Sequence, residues 1–489
     1  MDEFLHKWWL IFLGSFLIII FRLPSLFEPH WYLDELIYLS IGAGIQNGFL
    51  LYRDLFDHKP PGVYLISAIL NSQFSLRLLL IFLNIWALIA FSGIIKEFKN
   101  QILKILLVLG FVILTATPLL EGTIFNAEIV ILPLILTAFL LLKPLMVAKS
   151  VTRFNQILIG ILLISACLIK VTAVFDALGI GIGLLIISHP NLKIKKLLTN
   201  GLPFLLGVFI PLILVAAYFN FHGILNELLQ ATVFYNFGYV KIQSPPALLG
   251  HPLTLFLKLI IIGFMGAYLG TNLDRKHDKL AIIAGTWLIS ALLAVSLSNR
   301  SYSHYLIQLV PPVLLVLGLV FAIPKSSKIP IMVLLSFSMI WLHLFRFTTS
   351  VPLSYYKNAR NYFVTHSLTQ TQYNMTFESQ FEALSLVAQY LKLNSKPDDL
   401  IWVIGEYPQI YFESERYPPT IYMTIFQLED SLKDGELAKT IEKHPPLFIV
   451  FIKPESFYRD YVRQEFSDYL NLNYQEDQKI EKITVFKRK

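Results

Sequence analysis

Long apolar runs recur along the chain up to about residue 350, and they constrain the fold more than any other feature of the sequence. Of the 489 residues, 55% are hydrophobic and only 15% are charged, whereas a soluble protein has roughly 25% charged residues. A run of about 20 apolar residues is long enough to cross a bilayer as a helix. The sequence therefore predicts a polytopic α-helical membrane protein.

We predict about eleven transmembrane helices. The first lies at the start of the chain and is expected to remain as a signal anchor, because no small-residue cleavage motif follows its apolar run. The other predicted spans cover residues 74–95, 102–119, 127–147, 155–170, 172–188, 200–220, 253–271, 279–298, 304–323 and 329–348. The two spans of the pair 155–170 and 172–188 are short, so one broken or re-entrant unit is the alternative for them.

Basic residues cluster in alternate loops and so predict the orientation. The positive-inside rule places loops rich in Lys and Arg on the cytoplasmic side. These loops hold Lys96, Lys99 and Lys104; Lys143, Lys149 and Arg153; Lys193, Lys195 and Lys196; Arg275, Lys276 and Lys279; Lys325 and Lys328. We therefore predict a multi-pass protein of the plasma membrane with a cytoplasmic N-terminus. The net charge of +7 serves orientation and does not indicate a nucleic-acid partner.

The first predicted outer loop, residues 28–60, concentrates charge in a chain that has little of it. Asp34 and Glu35 directly follow the first apolar segment. A carboxylate at the membrane–water boundary can act as general base for an acceptor hydroxyl or amine. Two adjacent carboxylates also repel each other, which helps one of them to take a proton. We predict Asp34 and Glu35 as catalytic residues, and a solvated pair of loop charges is the alternative.

The same loop ends in the run YRDLFDHKPP at residues 52–61. Asp57 and His58 offer a hard and a borderline metal ligand side by side, and Lys59 is a cation that can hold a phosphate. The two prolines restrict the backbone where the chain enters the next apolar segment. We predict Asp57 and His58 as metal ligands and Lys59 as an anion-binding residue. An interfacial charge cluster is the alternative.

Two more groups of polar residues lie in or beside predicted spans. In NRSYSHYLIQLVPP, Arg300 can bind a phosphate through two N–H donors, and His304 is a candidate metal ligand or proton carrier; Tyr302 accompanies them. Glu128 enters one span and Lys170 lies between two. Charged groups at such depth are costly and usually mark a functional site or an ion pair. A purely structural pair of Lys170 with Glu128 is therefore the alternative to a functional role.

The composition becomes polar from about residue 352. Residues 378–399 predict an amphipathic helix that ends before Pro397. The segments DLIWVI, PPLFIVFI and KITVFKRK predict strands, and the 429–443 region predicts a helix. We predict two domains: a membrane domain of residues 1–350 that includes the outer loop 28–60, and a small α/β domain of residues 351–489. An odd number of spans places the second domain outside.

Five of these features occur in the same order in one family. They are Asp34-Glu35 after the first span, YRDLFDHKPPGVYL before the second, Asn126-x-Glu128, LIKVTA around Lys170, and RSYSHYLIQLVPP. With them the sequence resembles bacterial family 39-like glycosyltransferases of the GT-C class, which are related to protein O-mannosyltransferases and lipid A aminoarabinose transferases. The resemblance covers essentially the whole chain, and the first-loop motifs are its most specific part.

The resemblance implies transfer of a sugar from a polyprenyl-phosphate-linked donor to a protein, lipid or glycan on the outer face of the membrane, by direct displacement with inversion. It implies that Asp34 activates the acceptor. Lys59 matches the lysine before Pro-Pro that contacts the donor phosphate. Arg300 and His304 are expected to contact the donor phosphate or a metal ion, and Lys170 is expected to contact the phosphate too. In the aminoarabinose enzymes an acidic metal ligand precedes that lysine. Because His58 stands here instead, a divalent metal ion is expected only as an optional cofactor.

Two other classes of function fit the same residues. A transporter or flippase of an anionic lipid-linked substrate would place charges near the bilayer midplane and show repeated halves, whereas here the charges cluster in loops and no repeat is apparent. A non-catalytic membrane assembly protein would not need Asp34 or Lys59. A polymerase or ligase of lipid-linked sugars is the alternative within the enzymes.

Overall fold

The computed structural model describes residues 2–147, 149–188, 194–236, 252–274, 278–297, 300–322, 325–344, 352–431, 437–452 and 460–489. The chain divides into two compact units. We call Met1–Ser25, Lys59–Gly62 and Arg77–Pro352 the membrane unit. We call Leu26–His58, Val63–Leu76 and Leu353–Lys489 the sheet unit.

Helices make up nearly all of the regular structure before residue 345. They are α1 Asp2–Arg22, α2 Leu33–Gln46, α3 Gly62–Leu70, α4 Gln73–Ile95, α5 Gln101–Ala116, α6 Ala127–Met146, α7 Arg153–Ile169, α8 Ala173–Ser188, α9 Ile194–Phe221, α10 Leu225–Leu229, α11 Pro252–Asn272, α12 Lys279–Ser296, α13 Val310–Ala322 and α14 Lys325–Leu344. Short 3₁₀ helices cover Leu23–Phe27, Pro118–Leu120 and Ser303–Leu309, and a π-helical turn covers Gln230–Phe234.

Many of these helices have the length and composition of membrane spans. Among the described residues, 6 segments are long and apolar enough to cross a bilayer: Trp8–Phe27, Gln73–Ile95, Ala127–Met146, Gly201–Phe221, Lys279–Ser296 and Ser303–Ala322. Shorter apolar helices cover Gln101–Ala116, Arg153–Ile169, Ala173–Ser188, Lys258–Leu269 and Lys328–Leu344. The chain is therefore a multi-pass membrane protein, as its composition predicts. The count of eleven spans stays a prediction, and the basic-loop residues 193 and 275–276 lie outside the described part.

Helix α12 forms the buried centre of the membrane unit, and α8 packs closely along it. Small residues on α8 make this contact possible. A Cβ atom at Gly179 would lie 2.7 Å from the Cα of Trp287, and one at Gly183 would lie 2.7 Å from the Cα of Ile283. Close approach through small residues is a common way for helices to associate in membranes. The closely packed helices α8 and α12 thus form a fixed part of the membrane unit, and the site residues described below lie on segments next to it.

The sheet unit joins α2 and most of α3 to the C-terminal part of the chain. Its further helices are α15 Pro352–Phe363, α16 Gln370–Asn374, α17 Phe381–Asn394, α18 Pro408–Ser414, α19 Ile425–Ser431, α20 Leu437–Glu442 and α21 Asp460–Asn473. Its strands are β1 Ile401–Ile404, β2 Phe448–Ile452, β3 Tyr474–Ile480 and β4 Ile483–Arg488. The sheet has the order β1-β2-β4-β3. Strands β1 and β2 are parallel and the other pairs are antiparallel.

The predicted amphipathic helix and three predicted strands are confirmed as α17, β1, β2 and β4. Strand β3 was not predicted, because its sequence YQEDQKI is polar and mostly exposed. It forms at the sheet edge by pairing with β4 alone. Within the predicted helix 429–443, residues 432–436 lie outside the described part.

The first predicted outer loop is grouped with the sheet unit, whereas we predicted it as part of the membrane domain. Helix α2 packs on α18, and the Phe56 N–H donates to the Ile421 carbonyl at 2.7 Å. Contacts with the C-terminal part of the chain therefore set the place of this loop. The two-domain division itself stays a prediction.

Candidate active site

The two adjacent carboxylates of the first loop differ in exposure. Asp34 and Glu35 both lie in the first turn of α2, where the positive end of the helix dipole favours negative charge. The Glu35 side chain is fully buried, whereas Asp34 is partly exposed and accepts a hydrogen bond from the Tyr38 hydroxyl at 3.2 Å. Of the two predicted catalytic residues, Asp34 is therefore the more accessible.

The loop after α2 folds back tightly on itself before it reaches the Asp57 motif. The Leu50 N–H donates to the Asp54 carboxylate at 2.7 Å, and Arg53 donates twice to that carboxylate at 2.8 Å. The Arg53 hydrogen bond lowers the pKa of Asp54. At the tip, Tyr52 adopts a left-handed backbone with φ of 69°. Burial, and then the nearby Asp57 charge, raise the pKa of Tyr52 well above its ordinary value, so Tyr52 stays a neutral phenol.

Asp57 is the buried anchor of this motif. Its side chain is 1% exposed, and it accepts hydrogen bonds from three directions. The Tyr64 hydroxyl donates to Oδ2 at 2.7 Å, the His58 backbone N–H donates to Oδ1 at 2.8 Å, and the Gln427 amide donates to Oδ1 at 3.1 Å. A buried carboxylate with several donors is fixed in one orientation. Asp57 therefore orients the backbone directly before Lys59.

In the membrane unit, the segment Lys59–Gly62 passes the end of α7. A Cβ atom at Gly62 would lie 2.7 Å from the Leu168 carbonyl oxygen and 2.8 Å from an Ile169 side-chain carbon. Only glycine allows the backbone to pass this close. The segment therefore runs beside Lys170, which caps α7, and the charge of Lys59 acts on that of Lys170.

Lys170 and His304 form the centre of an acid–base cluster in the membrane unit. Lys170 pairs with the buried Glu128, and its ammonium lies 4.5 Å from the centroid of the Tyr305 ring. His304 Nδ1 lies 2.6 Å from Glu121 Oε2, and His304 Nε2 lies 3.9 Å from Glu128 Oε1. The imidazole therefore stands between two carboxylates, one of which it shares with the lysine.

Arg300 and Tyr302 extend this cluster toward solvent. The Arg300 Nη1 donates to the Tyr302 hydroxyl at 3.3 Å. The Tyr302 ring, 46% exposed, stacks on His304 with centroids 5.6 Å apart and an interplanar angle of 9°. The membrane unit thus places Lys59, Lys170, Arg300 and His304 in one neighbourhood with two carboxylates. Such a set can bind an anion through its cations and hold a proton at the imidazole.

The predicted metal ligands are engaged in other contacts. Both Asp57 oxygens accept hydrogen bonds, and His304 Nδ1 contacts Glu121. Within the described ranges, no three His, Cys, Asp or Glu side chains come together as a metal site. The residues as they stand do not fit a metal centre, and a metal ion at Asp57, His58 and His304 stays a prediction from the sequence.

The predicted site residues thus fall into two groups. Asp34, Glu35, Asp57 and His58 belong to the sheet unit, and Lys59, Glu128, Lys170, Arg300, Tyr302 and His304 belong to the membrane unit. Sequence reasoning did not assign Tyr64 or Gln427 to the site. The sequence could have indicated Tyr64, because its hydroxyl follows shortly after the YRDLFDHKPP motif. The partnership of Gln427 with Asp57 spans 370 positions and left no local signal.

The fold defines a class: the chain is a polytopic membrane protein whose fold is similar to that of GT-C proteins. The chain is similar to the crystal structure of ArnT from Cupriavidus metallidurans bound to undecaprenyl phosphate. The TM-score is 0.53 and the sequence identity 12%, over 98% of this chain and 97% of that chain. The apo structure of the same protein gives a TM-score of 0.56 at 12% identity, over 97% of each chain.

A looser similarity links the chain to the archaeal oligosaccharyltransferase AglB from Archaeoglobus fulgidus. Its TM-score is 0.48 at 12% identity, over 92% of this chain and 70% of that chain. No protein-family model matches the sequence, and no curated protein matches it. At these identities the similarity concerns the fold.

Proposed function

We propose that the protein is a membrane glycosyltransferase that moves a sugar from a polyprenyl-phosphate-linked donor to an acceptor on the outer face of the membrane. The observation that carries this proposal is the full-length similarity to ArnT, whose structure holds undecaprenyl phosphate. The cations of the membrane unit support it, because they suit a lipid phosphate. The donor sugar and the acceptor, whether protein, lipid or glycan, are left open.

The acceptor is activated by Asp34 in this proposal. Its carboxylate accepts the proton of an acceptor hydroxyl or amine as that atom attacks the anomeric carbon of the sugar. The partial exposure of Asp34 supports this role, because an acceptor hydroxyl or amine has to reach the carboxylate.

The departing group is the lipid phosphate. As the bond from the anomeric carbon to the phosphate oxygen breaks, the oxygen keeps the electron pair, and Lys59, Arg300 and Lys170 neutralise the growing charge. One displacement inverts the anomeric configuration. Only interactions stronger in the transition state than in the bound donor accelerate the step, so these cations are expected to contribute most as the phosphate leaves.

Transfer of radiolabelled sugar from a panel of polyprenyl-phosphate donors to membrane acceptors tests the proposal. We expect Asp34→Asn to lower the transfer rate by about 10²–10⁴-fold, the range of general base catalysis. Asp54→Asn is the matched control, since Asp54 is a carboxylate of the same loop that is bonded to Arg53 and has no role in the step. Its rate is expected to stay within a few-fold of wild type.

Three results would change the conclusion. Equal transfer by wild type and Asp34→Asn would remove Asp34 from the chemistry. Movement of the intact labelled lipid across the membrane, with no sugar transferred, would indicate a flippase. Retention of the donor's anomeric configuration in the product would contradict a single displacement.

A further inference from the structure

A buried carboxyl group lies close to the proposed phosphate site and has no part in the mechanism above. Asp176, in the first turn of α8, is 1% exposed. Desolvating a carboxylate costs several kcal/mol, and ionisable side chains within membrane helices usually serve a function. Its partners indicate what that function is.

Two segments other than α8 donate to the Asp176 carboxylate. The Trp287 indole N–H, on α12, donates to Oδ1 at 2.6 Å. The Gln308 side-chain amide, on the 3₁₀ helix Ser303–Leu309, donates to Oδ2 at 2.5 Å. Both partners are buried. The carboxylate therefore links three segments of the membrane unit through hydrogen bonds that water does not weaken.

Gln308 carries the network on to the turn between α7 and α8. Its amide also donates to the Thr172 carbonyl at 3.0 Å, and its Oε1 accepts from the Thr172 hydroxyl at 3.1 Å. Thr172 follows Lys170 by two positions, and Gln308 follows His304 by four. The network therefore joins the turn that bears Lys170 to the helix that bears His304. The charge of Asp176 also acts on Lys170.

We propose that Asp176 is a positioning residue: through Gln308 it sets Lys170 and His304 relative to each other, so that they receive the donor phosphate. This inference rests on the proposed function. Neither the cluster nor the network takes a residue from the sheet unit.

Simple packing of α8 on α12 does not account for the network. The two helices already meet closely at Gly179 and Gly183, and the Ser290 hydroxyl donates to the Phe175 carbonyl at 2.6 Å. What Asp176 adds is the link to Gln308, which lies outside that helix pair. The inference therefore predicts a defect in donor handling that exceeds any loss of stability.

A swap of the two polar groups tests this link. Asp176→Asn places an amide N–H against one of the two donors, Trp287 or Gln308, and Gln308→Glu brings two carboxylates together, so each single change should break a hydrogen bond of the network. In the double variant Asp176→Asn/Gln308→Glu, the new amide can donate to the new carboxylate while its oxygen still accepts from Trp287. The double variant loses the hydrogen bond to the Thr172 carbonyl, but it restores the hydrogen bond between the side chains at positions 176 and 308.

The readouts are the KM for the lipid-linked donor, the affinity for undecaprenyl phosphate alone, and thermal unfolding in detergent. We expect each single change to raise both KM and the dissociation constant about 10-fold, and the double variant to come within about threefold of wild type. Asn84→Leu is the control. Asn84 is buried in the same unit and bonds to Thr115 across α4 and α5, so its loss should lower thermal stability and leave KM unchanged.

The inference is overturned if the double variant is no better than the single variants, or if KM in every variant, Asn84→Leu included, changes only in proportion to the loss of thermal stability. If wild type neither transfers sugar nor binds undecaprenyl phosphate, the proposed function fails and this inference fails with it. The wild-type measurement thus separates the two failures.

Discussion

Lys170 shows how one residue carries both a structural and a functional interpretation. It pairs with Glu128, which is 2% exposed, and it also lies beside His304 and Tyr305. A buried ion pair contributes little net stability, because desolvation offsets the attraction, yet removing one partner leaves an uncompensated charge. The pair is therefore compatible with a phosphate site whose lysine must stay charged in an apolar setting.

The single and double variants of this ion pair should therefore differ widely in stability. Glu128→Gln should lower the free energy of unfolding by about 3 kcal/mol, and Glu128→Gln/Lys170→Met should recover most of that loss, because no unpaired charge remains. Thermal unfolding of Glu128→Gln, of Lys170→Met and of the double variant in detergent gives the coupling energy between positions 128 and 170.

The matched control is an ion pair of the same unit in which the carboxylate is exposed. Lys143 Nζ lies 2.8 Å from Glu97 Oε1, and the Glu97 side chain is 60% exposed. Its coupling energy should stay below about 1 kcal/mol. Equal coupling in the two pairs would show that burial has no part in the energetics of Lys170.

At the scale of elements, the segment 421–427 holds the end of the first loop. Phe56 donates its N–H to the Ile421 carbonyl, its ring lies 5.2 Å from that of Tyr422, and Gln427 donates to Asp57. The loop motif was apparent in the sequence because charge is rare in the rest of the chain. The residues that hold the motif in place were not apparent, because the hydrogen bond from Gln427 to Asp57 joins positions 370 apart and leaves no periodic pattern in the chain.

Gln427→Leu is expected to loosen this end of the loop. It removes one donor from a buried carboxylate, a change of about 1–3 kcal/mol, so the amides of Phe56 and His58 should exchange with solvent about 10-fold faster or more. Hydrogen exchange followed by mass spectrometry over residues 50–58 measures this effect.

Gln409→Leu provides the comparison, since Gln409 is another buried amide of the sheet unit that donates to a carboxylate, Glu413, at 3.1 Å. It should leave the exchange of residues 50–58 unchanged. Faster exchange in both variants would mean that the sheet unit loosens as a whole and that Gln427 has no special hold on Asp57.

At the scale of the whole molecule, composition and charge carried the prediction furthest. Apolar runs identified a multi-pass membrane protein because each span must satisfy its backbone within one helix, a local property that sequence displays. The grouping of Leu26–His58 with residues 353–489 depends on packing between distant segments. For the same reason the partners of Asp57 and Asp176 appear only in the folded chain.

Orientation in the bilayer is the remaining prediction at this scale. The basic loops predict that Lys99 faces the cytoplasm, and the odd number of predicted spans puts the C-terminal residues outside. Because the chain has one cysteine, Cys167, a Cys167→Ser background allows single reporters to be placed at the exposed positions 99 and 396. In intact cells, a membrane-impermeant maleimide should label Lys396→Cys, and it should label Lys99→Cys only after the membrane is permeabilised.

Labelling of Lys99→Cys in intact cells would reverse the predicted orientation. Protection of both positions would contradict the odd number of spans, since it would place the C-terminal residues on the side of the basic loops. Because Asp34 belongs to the same sheet unit as those residues, this result would also remove Asp34 from an outer-face reaction.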